Sequence, residues 1–410
     1  MPLPQNRVLA PAVPFRAGRS GSTLPRLAGA EGTGMRMARR LARVLLAAVL
    51  AVLAGCSLSS GNATAKASSF ACSATGSTAT GSVAVTGLRA GNSGSEDPAI
   101  QRAINAAGGR GGGMVALPAG TFTLDGPLIL RDNVELIGTG PATVLKAGPG
   151  FLAAQGPGGG YPLITTDGAA NTTIADLTAD QSGNTLNGNT PARLAGYVVE
   201  GLNSRNVLIT GVYVRNPFTY AIAMVNTTDF CIRDSNVDVT DAGRYNQLDG
   251  IHILDSSFGQ VIYNHVRSGD DGLVAHTISG PVHNVLYAGN TVHGGTTADG
   301  LQLAVGNYPI YNIRIEDNNF SGSLFGIRTG YYDNGTGAVR NVVISGNYIH
   351  GLAQGNSYPA IAIGGFGGRG PITGVTITSN RVCDAGSVGV RPGLGNSAVQ
   401  TAGCPQVGNG

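Results

Sequence analysis

Carboxylates that recur in register are the residues of this chain best suited to chemistry. Asp270–Asp271 follows Asp249 by 21 positions, and Asp249, Asp271 and Asp299 each stand directly before a glycine. Side chains spaced by one structural repeat stack on neighbouring strands, about 4.8 Å apart. Three carboxylates held that closely repel, so at least one pKa must rise and a proton is shared. Acid/base cleavage of a glycoside needs that arrangement: one protonated acid for the leaving oxygen, and a second carboxylate to activate water. An Asp before Gly is also an ordinary turn residue whose carboxylate bonds local backbone N–H groups. Asp249 and the Asp270–Asp271 pair converge on one face, which favours chemistry over turn duty. For Asp299 the two readings stand level.

These acids open a recurring strand: YAIAMV (220–225), DGIHIL (249–254), DGLVAH (271–276), DGLQLA (299–304), FGIRTG (325–330) and PAIAIG (359–364). Alternation sends Ile251/Ile253, Leu273/Ala275, Leu301/Leu303 and Ile327 inward. His252, Val274, Gln302 and Arg328 then form one exposed outward column beside the acids. His252, His276, Asp299, Gln302 and Arg328 are the candidate substrate contacts. Tyr331, just past Arg328, is a sixth, able to stack on a sugar ring. No H-x-x-x-H or H-E-x-x-H spacing occurs, so no metal and no cofactor is expected.

A second strand family interleaves with the first: VLITGVYV (207–214), CIRDSNVDV (231–239), VIYNHV (261–266), VLYAGNTV (285–292), IRIEDNNF (313–320), VVISGNYI (342–349) and VTITSNRV (375–382). Asn236, Asn264, Asn290, Asn318, Asn347 and Asn380 recur within it. Asn tolerates a left-handed corner and can bond its stacked copies. A period in the twenties with alternating strands is the signature of a solenoid. The fold class expected is all-β, a right-handed parallel β-helix over 83–410. Ser95-Glu96-Asp97-Pro98 starts a helix, and its apolar face of Ile100, Ala103, Ile104 and Ala107 suits a plug over the open first coil. The glycine-rich 108–122 lacks the GK[ST] ending of a phosphate loop.

Residues 1–56 carry eight Lys/Arg and one acid, Glu31. Subtracting them from totals of 26 and 23 leaves 18 basic and 22 acidic residues, a difference of −4. No basic run remains, and nucleic acid is excluded as a partner. Arg36, Arg39, Arg40 and Arg43 precede a short apolar run, Val44 to Ala54, which marks a secretion signal over 1–55, with 1–34 dispensable. Its end, Leu53-Ala54-Gly55-Cys56, resembles the lipobox of bacterial lipoproteins, which implies cleavage before Cys56 and lipidation of its sulfur. Residues 56–82 read as a flexible tether. The localisation expected is extracytoplasmic, anchored to a membrane by lipid, with a monomer as default. Export permits disulfides. Cys383 and Cys404 are the candidate pair, with Cys72 and Cys231 left unassigned.

The coils, the helix plug and the GGG-x-V-x-x-P-x-G-x-F element resemble the pectin-lyase-like superfamily over roughly residues 83–400. QLDGIHI (247–253), SGDDGLVA (268–275) and FGIRTG (325–330) resemble the N-T-D-G, G-D-D and R-I-K segments of the polygalacturonase family, glycoside hydrolase family 28. The resemblance implies an inverting glycoside hydrolase with Asp270 as general acid, Asp249 and Asp271 holding the water, and Arg328 binding a poly- or oligosaccharide. Ala298-Asp299-Gly300 stands where the family has G-H-G, and Thr329-Gly330 where it has the Lys. Loss of that cation points away from galacturonan, toward a neutral or differently charged glycan. The alternatives are a lyase or C5-epimerase, for which clustered Asp could hold Ca²⁺, and a non-catalytic glycan-binding solenoid.

Overall fold

The computed structural model describes residues 72, 81–91, 94–154, 161–182, 196–239, 248–331, 335–353, 359–364, 369–383, 389–390 and 399–402. The signal region, Cys56 and Cys404 lie outside them. The chain winds as a right-handed parallel β-helix. Among the described residues every strand pairing is parallel, and the strands fall into two sheets, one of ten strands and one of 21.

One coil shows the plan. Ile251–Leu254 lies in the ten-stranded sheet, and Ser257–Ile262 and His265–Arg267 lie in the larger one. Each strand pairs with its counterpart one coil away: Ile251 with Ile222 before it and Leu273 after it. The inward residues Ile251, Ile253, Leu273, Ala275, Leu301, Leu303 and Ile327 are fully buried, as alternation requires. At the N-terminal end the helix Asp97–Gly109, with Pro98 in its first turn, packs on the first strands through Ile100, Ala103, Ile104 and Ala107. It closes a coil whose core would otherwise face water.

The asparagine stack is present, with two corrections. Asn264, Asn290, Asn318, Asn347 and Asn380 are buried. Each of the first four donates its backbone N–H and its side-chain Nδ2 to the next Asn Oδ1 at 2.8–3.0 Å. Ser235, not Asn236, extends the stack, its N–H donating to Asn264 Oδ1 at 3.1 Å. The left-handed residue is the one before each: Asp234, Tyr263, Gly289, Asp317, Gly346 and Ser379. The Asn side chain is selected here for its two-way hydrogen bonding, while its neighbour takes the strained φ.

Cys72, in the segment read as a flexible tether, is disulfide-bonded to Cys231 on the coil. That bond ties the segment down at one point. Cys383 is disulfide-bonded too, with its partner outside the described residues.

Candidate active site

The ten-stranded sheet carries the site. Val199, Ile222, Ile251, Leu273, Leu301 and Ile327 are paired in register and point inward. Two residues before each lies a corner residue, giving a column Tyr197, Tyr220, Asp249, Asp271, Asp299, Phe325. One residue after each lies the outward column Glu200, Ala223, His252, Val274, Gln302, Arg328. The glycine between corner and strand is a steric necessity. A Cβ on Gly250, Gly272 or Gly300 would lie 2.5–2.7 Å from the carbonyl oxygen of the next such glycine, Gly272, Gly300 or Gly326. Packing thus explains the Gly of each D-G pair and leaves the Asp unexplained by packing.

Asp270 joins the column from the preceding turn. Gly269 and Asp270 both donate their N–H to the Leu248 carbonyl, at 3.0 and 3.2 Å, which pulls this turn against the loop that carries Asp249. The outcome is one cluster. An oxygen from each of Asp249, Asp270 and Asp271 lies within 4.8 Å of the others. Asp249 and Asp271 are buried, and Asp270 is half-buried.

Burial pushes both Asp249 and Asp270 up to about 8, with the charge of Asp299 adding to each and Asp249 adding to Asp270. Asp271 is raised well above the usual carboxylate range by burial and then by Asp299 and its two cluster partners. Arg328 opposes the rise at Asp270 and Asp271. The cluster therefore keeps protons at neutral pH, and they belong to the group rather than to one residue.

The outward column differs from expectation in exposure. His252, Val274 and Gln302 point outward yet are buried, because neighbours one rung away cover them. His252 sits between the rings of Tyr220 and His276, with centroids 5.0 and 5.2 Å away. Its Nδ1 meets Asp249 Oδ2 at 2.7 Å, and its Nε2 meets His276 Nδ1 at 3.1 Å. Burial holds His252 down at about 4, so the Asp249 contact is a hydrogen bond with neutral imidazole rather than an ion pair. One proton suffices for the pair, on Asp249 or on Nδ1, and the His252–His276 bond adopts the matching tautomers.

Asp299 is fully buried. Its Oδ2 accepts from Arg328 Nε and Gln302 Nε2, both at 2.7 Å. Its backbone N–H donates to Asp271 Oδ1, also at 2.7 Å. Burial works against its ionisation, while Arg328 and Gln302 favour the anion. Asp299, Gln302 and Arg328 thus brace one another, and Asp299 anchors the guanidinium next to the acids. Arg328 remains about a quarter exposed on its side chain and lies over the Phe325 ring at 5.1 Å. Tyr331 ends the Phe325–Tyr331 strand, paired with Val305; its side chain lies outside the described residues. The three cluster oxygens have the chemistry to ligate a divalent cation, but the Arg328 charge already acts on Asp270 and Asp271.

Residues 82–351 match the family described as rhamnogalacturonase A/epimerase, pectate lyase-like. This chain belongs to that family. Among its curated relatives, mannuronan C5-epimerase AlgE5 of Azotobacter vinelandii is 29% identical over 255 residues, covering 59% of this chain and 23% of that protein. AlgE3 of the same organism is 34% identical over 195 residues, covering 44% and 10%. Alginate lyase 7, again from that organism, is 30% identical over 202 residues, covering 46% and 22%. The chain thus spans less than a quarter of the length of these relatives. In structure it is similar to an exopolygalacturonase from Thermotoga maritima, with a TM-score of 0.61 at 20% identity over 74% of this chain and 81% of that one. An endo-xylogalacturonan hydrolase from Aspergillus tubingensis gives a TM-score of 0.61 at 15% identity over 79% and 93%. These likenesses speak for the fold, and the relatives by sequence are carbohydrate-active enzymes.

Sequence reasoning placed the acids and the outward column in their register. It missed Tyr197 and Glu200, which sit one coil earlier at the same two positions. The segment GYVVEGL (196–202) carries their signal, since Val199 pairs with Ile222 as Ile222 pairs with Ile251.

Proposed function

We propose that this protein is an exported, lipid-anchored glycoside hydrolase that cleaves a polysaccharide or oligosaccharide. The observation that carries the reading is the half-buried Asp270, protonated up to about 8 beside two further carboxyls within 4.8 Å. In this mechanism Asp270 gives its proton to the glycosidic oxygen as the bond to C1 breaks. Water adds to C1, and its proton passes to the Asp249–Asp271 pair, which accepts it when the cluster has lost one of its shared protons. The Asp249–Asp271 pair then releases that proton to solvent and Asp270 takes one back, so one water is consumed per bond cut. The Asp249–His252–His276 chain holds the Asp249 carboxyl in place through these proton changes. Inversion comes from the polygalacturonase resemblance. The cluster oxygens are closer than the ~6.5–9.5 Å carboxyl separation of an inverting pair, so the anomer first released is a measurement in its own right.

A second reading, a uronate C5-epimerase or lyase, is favoured by the names of the sequence relatives. The imidazoles of His252 and His276 are neutral beside the acids, while the burial that lowers both weakens them as bases for the C5 proton. One experiment separates the readings. Mannuronan, polygalacturonate and neutral glucans are incubated with the full chain and with Asp270→Asn, and reducing ends, ultraviolet absorbance and solvent deuterium at C5 are followed. Hydrolysis predicts new reducing ends without unsaturation, unaffected by chelator and falling by about 10²–10⁴-fold in Asp270→Asn. Unsaturated product or C5 deuterium, with equal reducing ends from both proteins, would replace hydrolysis with the second reading.

A further inference from the structure

The mechanism leaves one buried carboxyl of the same sheet unused. Glu200 lies on the outward column, in register with Thr165 before it and with Ala223 and then His252 after it. Two rung spacings, ~9.6 Å, separate its backbone from that of His252. It is 8% exposed, the same as Asp271 and Gln302 beside the acid cluster. Among the described residues its hydrogen-bond donor is Thr165, whose Oγ1 meets Glu200 Oε2 at 3.1 Å. Next to it, Tyr197 and Tyr220 stack at 5.4 Å in the corner column, and Tyr220 continues to His252 at 5.0 Å. An unbroken wall of rings therefore joins the Glu200 position to the acid cluster.

A glutamate is an expensive residue for this position if its work is structural. A glutamine would accept the same Thr165 hydrogen bond without a buried charge. Among the described residues no cation offsets that charge, and the neighbouring carboxylate of Asp167 adds to its cost. What a carboxylate does and an amide does not is accept hydroxyl donors strongly while rejecting another anion.

We propose that Thr165, Glu200, Tyr197 and Tyr220 form a sugar subsite N-terminal to the acid cluster, in which Glu200 selects a neutral, hydroxyl-bearing unit over a uronate. This deepens the reading of the groove as a glycan site and names the charge class of one unit of the substrate. Burial, opposed by Thr165, raises Glu200 to about 7. It is ionised above that pH and protonated below it, so rejection of a uronate belongs to alkaline solution. The titratable groups that face it are Asp167, beyond the preceding strand, and Tyr197, at the corner of its own; the following strand, Ile222–Val225, presents Ala223.

The test is a binding measurement on the full chain in an Asp270→Asn background, with and without Glu200→Gln, so that turnover plays no part. The probes are matched tetrasaccharide pairs, each a uronate and its carboxyl-reduced twin: mannuronate with mannose, galacturonate with galactose, glucuronate with glucose. At about pH 9 at least one neutral twin should bind at least about tenfold more tightly than its uronate. At about pH 5 that ratio should collapse toward one. Glu200→Gln should give one small ratio at both pH values, with a melting temperature unchanged at about pH 5 and not lowered at about pH 9. A ratio that ignores pH, a ratio retained in Glu200→Gln, a uronate preferred at alkaline pH, or no probe bound overturns the proposal. Charge selection here, with no reducing-end release from the same sugars by the protein that retains Asp270, would instead sink the hydrolase and leave the subsite standing.

Discussion

At the scale of single residues, the protein concentrates its unfavourable electrostatics in one place. Asp249, Asp270 and Asp271 would each ionise near 4 in an unfolded chain, and folding lifts Asp249 and Asp270 to about 8. The sign of the linkage follows. A carboxyl whose folded pKa is raised binds its proton more tightly in the native state, so its contribution is present at acid pH and is lost as pH climbs from about 4 through about 8. Asp270→Asn removes one member and should be neutral to stability at about pH 4. At about pH 9 it should raise the melting temperature by roughly 2 °C, for about 1 kcal/mol. Calorimetry of both proteins across that range checks it, and a loss of stability at alkaline pH would mean that the acids do not repel. This much was legible in the sequence, because acids that recur at the same place in successive repeats are stacked together. The Asp249–His252–His276 chain was not, since it runs diagonally between strands and needs the side-chain directions of two coils at once.

At the scale of elements, each coil corner is built on a glycine whose place is set by its neighbour's carbonyl. Gly272 lies midway along the stack: a Cβ there would meet Val292 Cγ1 at 2.2 Å and the Gly300 oxygen at 2.7 Å. Gly272→Ala should cost about 1–3 kcal/mol and displace the Asp271 corner, cutting activity more than Gly→Ala at the exposed, open position 109 does. Equal thermal stability for the two variants would contradict the close-approach account. Alternation and repeat length made these strands readable in advance. The left-handed position lies one residue earlier than the sequence suggests, because Asp, Tyr, Gly and Ser all occupy it while five of the six positions that follow it are Asn. Tyr197 and Glu200 went unread for a related reason: the long spacing between Thr178–Asp180 and Val199–Leu202 breaks the period.

At the scale of the whole molecule, the solenoid supplies an extended sheet on which an acid cluster, a braced arginine and an aromatic wall lie in line. Such a surface suits a chain-like substrate better than a small molecule. The disulfides at Cys72–Cys231 and at Cys383 agree with a chain that folds in an oxidising compartment. Anchoring through Cys56 is the accompanying proposal, supported by the Leu53-Ala54-Gly55-Cys56 motif. Cys56→Ser should shift the protein from the membrane pellet to the soluble exported fraction, and an unchanged distribution would remove the anchor. Beneath all of these, the folded protein keeps a proton on its carboxyl cluster at neutral pH. Carbon-13 spectroscopy of aspartate-labelled protein, titrated from about pH 3 to 10, reads this directly. The structure predicts a carboxyl resonance that titrates near 8 and that Asp270→Asn abolishes or displaces; a titration in which every aspartate ionises below about 5 would contradict it.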